Sequence, residues 1–128
     1  EGRTVFDALE GIAQRYGRHL TAQVSVRVDG PRANERLRER MEQLRADPPQ
    51  SIGSRDVVAT IDYLAADTGL PPSDILRFDV DGGGRVIIRP SGTEPKLKLY
   101  IELVAPAEDQ NANDALRTLV DDVRALVA

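Results

Sequence analysis

The stretch from Leu76 to Leu103 constrains the fold of this chain most tightly. Leu97, Leu99, Ile101 and Leu103 alternate with Lys98, Tyr100 and Glu102, the period-two signature of a strand with one buried face. Ahead of it come the β-branched run Val86, Ile87 and Ile88 and a short strand from Leu76 to Val80. Only Asp81-Gly82-Gly83-Gly84 and the segment from Arg89 to Pro95 separate the three. Connections this short join antiparallel neighbours, because parallel strands need a long crossover.

The rest of the chain supplies further strands and the covering layer. Val24, Val26 and Val28 alternate with Gln23, Ser25 and Arg27 as a strand, and Val57 to Tyr63 reads as another with imperfect alternation. Asp29-Gly30-Pro31 is a turn, with Asp29 placed to cap a helix whose apolar positions are Leu37, Met41 and Leu44. The other residues of that helix are mostly Arg and Glu, a solvated face on which pairs such as Glu42–Arg45 add roughly 0.3 kcal/mol each. Pro48-Pro49 ends it, Ser51 to Ser54 form a connection, and Ala65 to Asp74 form a loop. Ala112, Leu116, Leu119, Val120, Val123 and Leu126 mark an amphipathic helix from about 108 to 126. At the start, Val5, Leu9, Ile12, Ala13 and Tyr16 recur at helical spacing, which predicts a helix over 4–16 with Gly17 as its C-cap. The expected class is α+β: an antiparallel sheet of about four to five strands, helices packed on one face, and one preceding N-terminal helix.

Composition narrows the function. A chain of 128 residues suffices for one domain with a real core. It contains no cysteine and one histidine, so it cannot build a disulfide framework, a thiolate site or a multi-histidine metal centre. That histidine, His19, falls between the first helix and the first strand, a linker position to which no role is assigned. A net charge of −4 with 4% aromatic residues argues against nucleic-acid or anionic-membrane binding. No apolar stretch approaches a membrane span and no signal-peptide pattern is present, so the cytoplasm is the default compartment. Asp79 to Gly84 is a hairpin turn rather than a calcium loop, because Gly83 and Pro90 stand where acidic ligands belong. The chain opens on Glu1-Gly2-Arg3 without methionine and is expected to be part of a longer protein.

An anion site must therefore be local, and the segment from Arg89 to Pro95 suits one. Arg89 offers a planar charged fork for two phosphate oxygens. Ser91 and Thr93 carry hydroxyl donors, Gly92 lets successive backbone N–H groups turn toward one point, and Pro90 and Pro95 limit the entropy lost on binding. This is no Walker loop, since its lysine spacing and following helix are missing. If Val86 and Ile88 share the core face with Leu97 and Leu99, then Arg89 and Lys98 both project from the opposite face near the loop mouth. Glu94 is expected to point away from the ligand, pairing with Lys96 or bonding to the loop backbone.

This run from Arg89 to Glu102 resembles the phosphate-binding loop in the C-terminal domain of the α-D-phosphohexomutases, the phosphoglucomutase and phosphomannomutase superfamily. The likeness extends to the Asp-Gly turn before it, to Leu70-Pro71-Pro72, to Arg45-Ala46-Asp47-Pro48-Pro49 and to the closing helix. It implies a fold like that of the TATA-box-binding protein. It also implies that 1–19 end the preceding sugar-binding domain and that 20–128 form the C-terminal phosphate-binding domain. By motif position Arg89, Ser91, Gly92 and Thr93 would hold the phosphate, with Lys98 a second cation and no catalytic residue in this chain. In the family a phosphoserine of the first domain transfers its phosphoryl group, magnesium of the second assists, and the third contacts sugar hydroxyls. The fourth grips the phosphate that is not reacting. The implied partners are a hexose phosphate or hexose bisphosphate and the preceding domains, with magnesium bound elsewhere in the parent. The parent would be a mutase and the 128-residue chain alone inactive. Lys96 to Tyr100 point to the phosphoglucomutase/phosphomannomutase branch, while glucose or mannose preference resides in other domains. A stand-alone phosphate-ligand module without catalysis is the alternative, to be decided by the reading frame upstream of Glu1.

Overall fold

The structure is a computed structural model that describes residues 18–65 and 71–128; the helix expected over 4–16 lies outside the described residues. In chain order the elements are β1 (Arg18–Arg27), α1 (Ala33–Ala46), β2 (Ser51–Ile52), β3 (Arg55–Asp62), β4 (Leu76–Val80), β5 (Gly84–Pro90), β6 (Lys96–Ala105) and α2 (Ala112–Val127). The strands form one sheet in the order β1-β6-β5-β4-β3-β2, and every neighbouring pair is antiparallel. The expected α+β layering stands.

Period-two alternation builds the core. Leu97, Leu99, Ile101 and Leu103 of β6, Val86 and Ile88 of β5, and Leu76 and Phe78 of β4 are all buried. They occupy one face because direct partners such as Ile88↔Leu99 and Phe78↔Val86 share a side of an antiparallel ladder. Leu37, Met41 and Leu44 of α1 and Leu119, Val123 and Val127 of α2 close over that face in a single cluster. Each such side chain contributes about 1.5–3 kcal/mol by leaving water. The opposite face has no helix over it among the described residues.

The boundaries correct several expectations. The sheet has six strands rather than four to five. One addition is β2, in the segment expected to be a plain connection. A two-residue strand has no periodicity to read, yet Ile52 is buried and paired with Arg55. β1 begins at Arg18, so His19 is a strand residue opposite Val104, not a linker residue. Asp29 caps nothing. The chain turns at Gly30, whose φ is +108°, and α1 starts only at Ala33, with Arg32 at the N-cap and no side-chain cap. The last helix starts at Ala112 rather than near 108, because Asp109 engages Pro106 and Asn111 in turn bonds. Arg45 turns to Asp62 and Asp74, at 2.9 and 2.5 Å, instead of pairing with Glu42, and so ties α1 to the β3–β4 connection. No helix among the described residues is long and apolar enough to cross a membrane.

Candidate anion-binding site

The loop between β5 and β6 extends their ladder: the Ser91 N–H donates to the Lys96 carbonyl at 2.9 Å. The Lys96 N–H in turn donates to the Glu94 carbonyl at 2.8 Å, and the Pro95 carbonyl accepts the Val28 N–H at 2.9 Å. Two backbone donors converge on one side-chain oxygen. The N–H groups of Thr93 and Glu94 both lie 3.4 Å from Ser91 Oγ, long contacts that a better acceptor can displace. Gly92 achieves this differently from expectation. Its φ is not in the left-handed region, and a Cβ added there would meet nothing within 4 Å. The turn does not require glycine for its own geometry, so the open space in front of Gly92 is what distinguishes it.

Arg89 and Lys98 stand directly opposite each other across β5 and β6. Their neighbours Ile88 and Leu99 face the core, so both cations occupy the open face, as alternation predicts. The Arg89 guanidinium carbon lies 5.7 Å from the centroid of the Tyr100 ring, within cation–π range. Among the described residues neither cation has an ion-pair partner within 4 Å. The structure thus pairs Arg89 with Lys98 on the open face, while Ser91 lines the cleft against α1 and Gly92 and Thr93 lie in the loop that joins β5 to β6.

Sequence reasoning missed one further cation there. Arg27 of β1 lies opposite Lys96 of β6, next to the Ser25↔Lys98 pair. The alternation of Gln23, Ser25 and Arg27 put Arg27 on a polar face, but only the long-range pairing of β1 with β6 brings it to the loop. Glu94 does point to a cation, and to two: its Oε2 accepts from Arg27 Nη2 at 2.6 Å and lies 3.8 Å from Lys96 Nζ. The Arg27 hydrogen bond, with the Lys96 charge next, holds the Glu94 carboxyl below its ordinary range.

Space for a ligand lies on both sides of the loop. A groove of about 290 Å³ on the open face is lined by Gln23, Ser25, Lys96, Lys98 and Tyr100. A cleft of about 220 Å³ separates Ser91 and Glu94 from Asn34 and Arg38 of α1. The larger cavity of about 540 Å³ sits at the other end of the sheet, where Asp79, Asp81 and Glu102 outnumber the one arginine of its lining, Arg85. His19 lies there too, with Nδ1 3.1 Å from Glu102 Oε1.

Known proteins are similar to this chain. Residues 24–119 match the family described as phosphoglucomutase/phosphomannomutase, C-terminal domain. The chain is 36% identical over 121 residues to a probable phosphomannomutase of Haemophilus influenzae, covering 94% of this chain and 23% of that protein. It is likewise 36% identical over 122 residues to a phosphoglucomutase of Staphylococcus aureus, covering 87% of this chain and 22% of the relative. The chain spans under a quarter of the length of either relative.

Proposed function

Because the chain belongs to the family of phosphoglucomutase/phosphomannomutase C-terminal domains, we propose that it binds the non-reacting phosphate of a hexose phosphate inside a longer cytoplasmic mutase. The observation that carries this reading is the Arg89–Lys98 pair, in direct register on the open face beside the loop. Two cations facing each other repel unless an anion lies between them. A phosphate ester carries close to two negative charges at neutral pH and accepts hydrogen bonds through three oxygens.

The chemistry at this site is binding and orientation. The Arg89 fork takes two oxygens and the Lys98 ammonium takes a third. The N–H groups of Thr93 and Glu94 already converge on one oxygen, that of Ser91, and a phosphate oxygen can take its place. Such a set reads a phosphate without reading which sugar carbon bears it, which suits a hexose bisphosphate that must be held in two orientations. Holding the far end of the substrate aligns the reacting end with groups of the preceding domains. Among the described residues no three His, Cys, Asp or Glu side chains are placed so that they could hold a metal ion. Those residues do not fit the magnesium ion that the family implies, and no step here passes through it. The 128-residue chain by itself is read as inactive.

In the full-length parent, Arg89→Ala is expected to lower kcat/KM for glucose 1-phosphate or mannose 1-phosphate more than Lys98→Ala does. The loss is that of a bidentate charged contact, roughly 1.5–3 kcal/mol. Arg89→Lys recovers only part of it, since a point charge does not reproduce the fork. Steady-state kinetics on the three variants, with melting as the control for folding, decide the matter. A kcat/KM near wild type for Arg89→Ala would overturn the reading.

A further inference from the structure

Glu94 is out of place by charge, a carboxylate inside a loop that receives a phosphate. Its surroundings account for it. Arg27 and Lys96 oppose each other across β1 and β6, a like-charge pair that destabilises an antiparallel ladder. The Glu94 carboxylate bridges them, at 2.6 Å from Arg27 and 3.8 Å from Lys96. The next residue, Pro95, is tied to the same segment through the Val28 N–H. Two adjacent loop residues are thereby fastened to the end of β1, one by its side chain and one by its backbone. The Glu94 N–H meanwhile points to Ser91 Oγ, so the residue that carries the clamp also presents one of the converging donors.

We propose that Glu94 is a positioning residue of the phosphate site. By clamping Arg27 and Lys96 it fixes the 91–95 loop against β1 and leaves Arg89 and Lys98 as the cation pair that meets the ligand. The four cations at this end of the open face thus divide into a structural pair, neutralised within the protein, and a binding pair. This inference rests on the phosphate reading above.

Through-space electrostatics and positioning predict opposite signs for one substitution. Glu94→Gln removes a negative charge beside the site, so repulsion alone would make phosphate bind more tightly. Positioning predicts weaker binding, because a loosened loop must be ordered each time a ligand arrives. In the full-length enzyme, Glu94→Gln is expected to raise both KM for the hexose phosphate and the inhibition constant for inorganic phosphate about 3- to 10-fold, with kcat within about twofold. Arg27→Met should act in the same direction, and the double variant should be no worse than the weaker-binding single one, since both remove the Arg27–Glu94 ion pair. The pair is half exposed, with side-chain accessibilities of 55% and 45%, so the melting temperature should hardly change. Arg89→Ala serves as the reference. If it leaves phosphate inhibition unaltered, the phosphate reading itself falls. If it weakens inhibition while Glu94→Gln tightens it or leaves it unchanged, or if the Arg27 and Glu94 effects simply add, the positioning role alone is overturned.

Discussion

At the scale of single residues, Gly92 allows the proposed binding role to be tested apart from folding. Its backbone avoids the left-handed region and nothing lies within 4 Å of where a Cβ would sit. Gly92→Ala should therefore leave the fold intact, and even stabilise it by about 0.4–1 kcal/mol by restricting the unfolded chain. On the proposed phosphate reading, a methyl group in that open space stands in the path of the ligand. The expected outcome is an unchanged or raised melting temperature with weaker inhibition by inorganic phosphate. A variant that melts earlier would show that the turn needs glycine after all. By contrast, Gly82 and Gly83 have φ of +81° and +83°, so the β4–β5 turn does depend on them.

At the scale of elements, β4 and β5 present a second charged cluster on the open face. Asp79 accepts from both ends of the Arg77 guanidinium, at 2.9 and 3.0 Å, and Arg85 lies 3.5 Å away. The Arg77 hydrogen bonds lower the Asp79 pKa; partial burial opposes them, and the Arg77 and Arg85 charges add to the lowering. A carboxyl whose folded pKa is depressed stabilises the protein fully above its unfolded value, about 3.9. That contribution is lost as the pH falls through the folded value. Urea unfolding between pH 7 and pH 2 should show a stability decline on the acid side that Asp79→Asn makes shallower. An identical acid slope in the variant would remove Asp79 from the account. The same elements explain why some boundaries were legible and others not. Leu76 to Val80 forms β4 as read, with its pattern of buried and half-buried residues intact. β2 was not legible, since its place in the sheet comes from Ile52 filling the core.

At the scale of the molecule, both helices and β2, β4, β5 and β6 contribute to one buried cluster, with Val24, Val26 and Val57 packed against it. Nothing in that arrangement divides into independently stable parts, so the 128-residue chain should unfold in a single thermal transition, coincident by far-ultraviolet dichroism and tyrosine fluorescence. Purified, it should show no mutase turnover. A non-cooperative melt, or measurable turnover, would contradict this view of the domain. What the sequence alone determined was the faces. Period-two alternation puts Leu97 and Leu99 inside and Lys98 outside whatever strand lies alongside, and the short connections make β4, β5 and β6 antiparallel neighbours. That Arg89 and Lys98 share the open face follows from those two facts, whereas their direct register is set by the structure. Alternation, however, is unchanged by any even shift of register and says nothing about which strand is the neighbour. Only the tertiary structure decided that β1 pairs with β6, at one edge of the sheet, while α1 carries the chain across the core face to β2 at the other. That pairing brings Arg27 to Glu94 across 67 residues, because the buried cluster shared by both helices and the sheet depends on contacts between segments far apart in the chain, which local alternation does not encode.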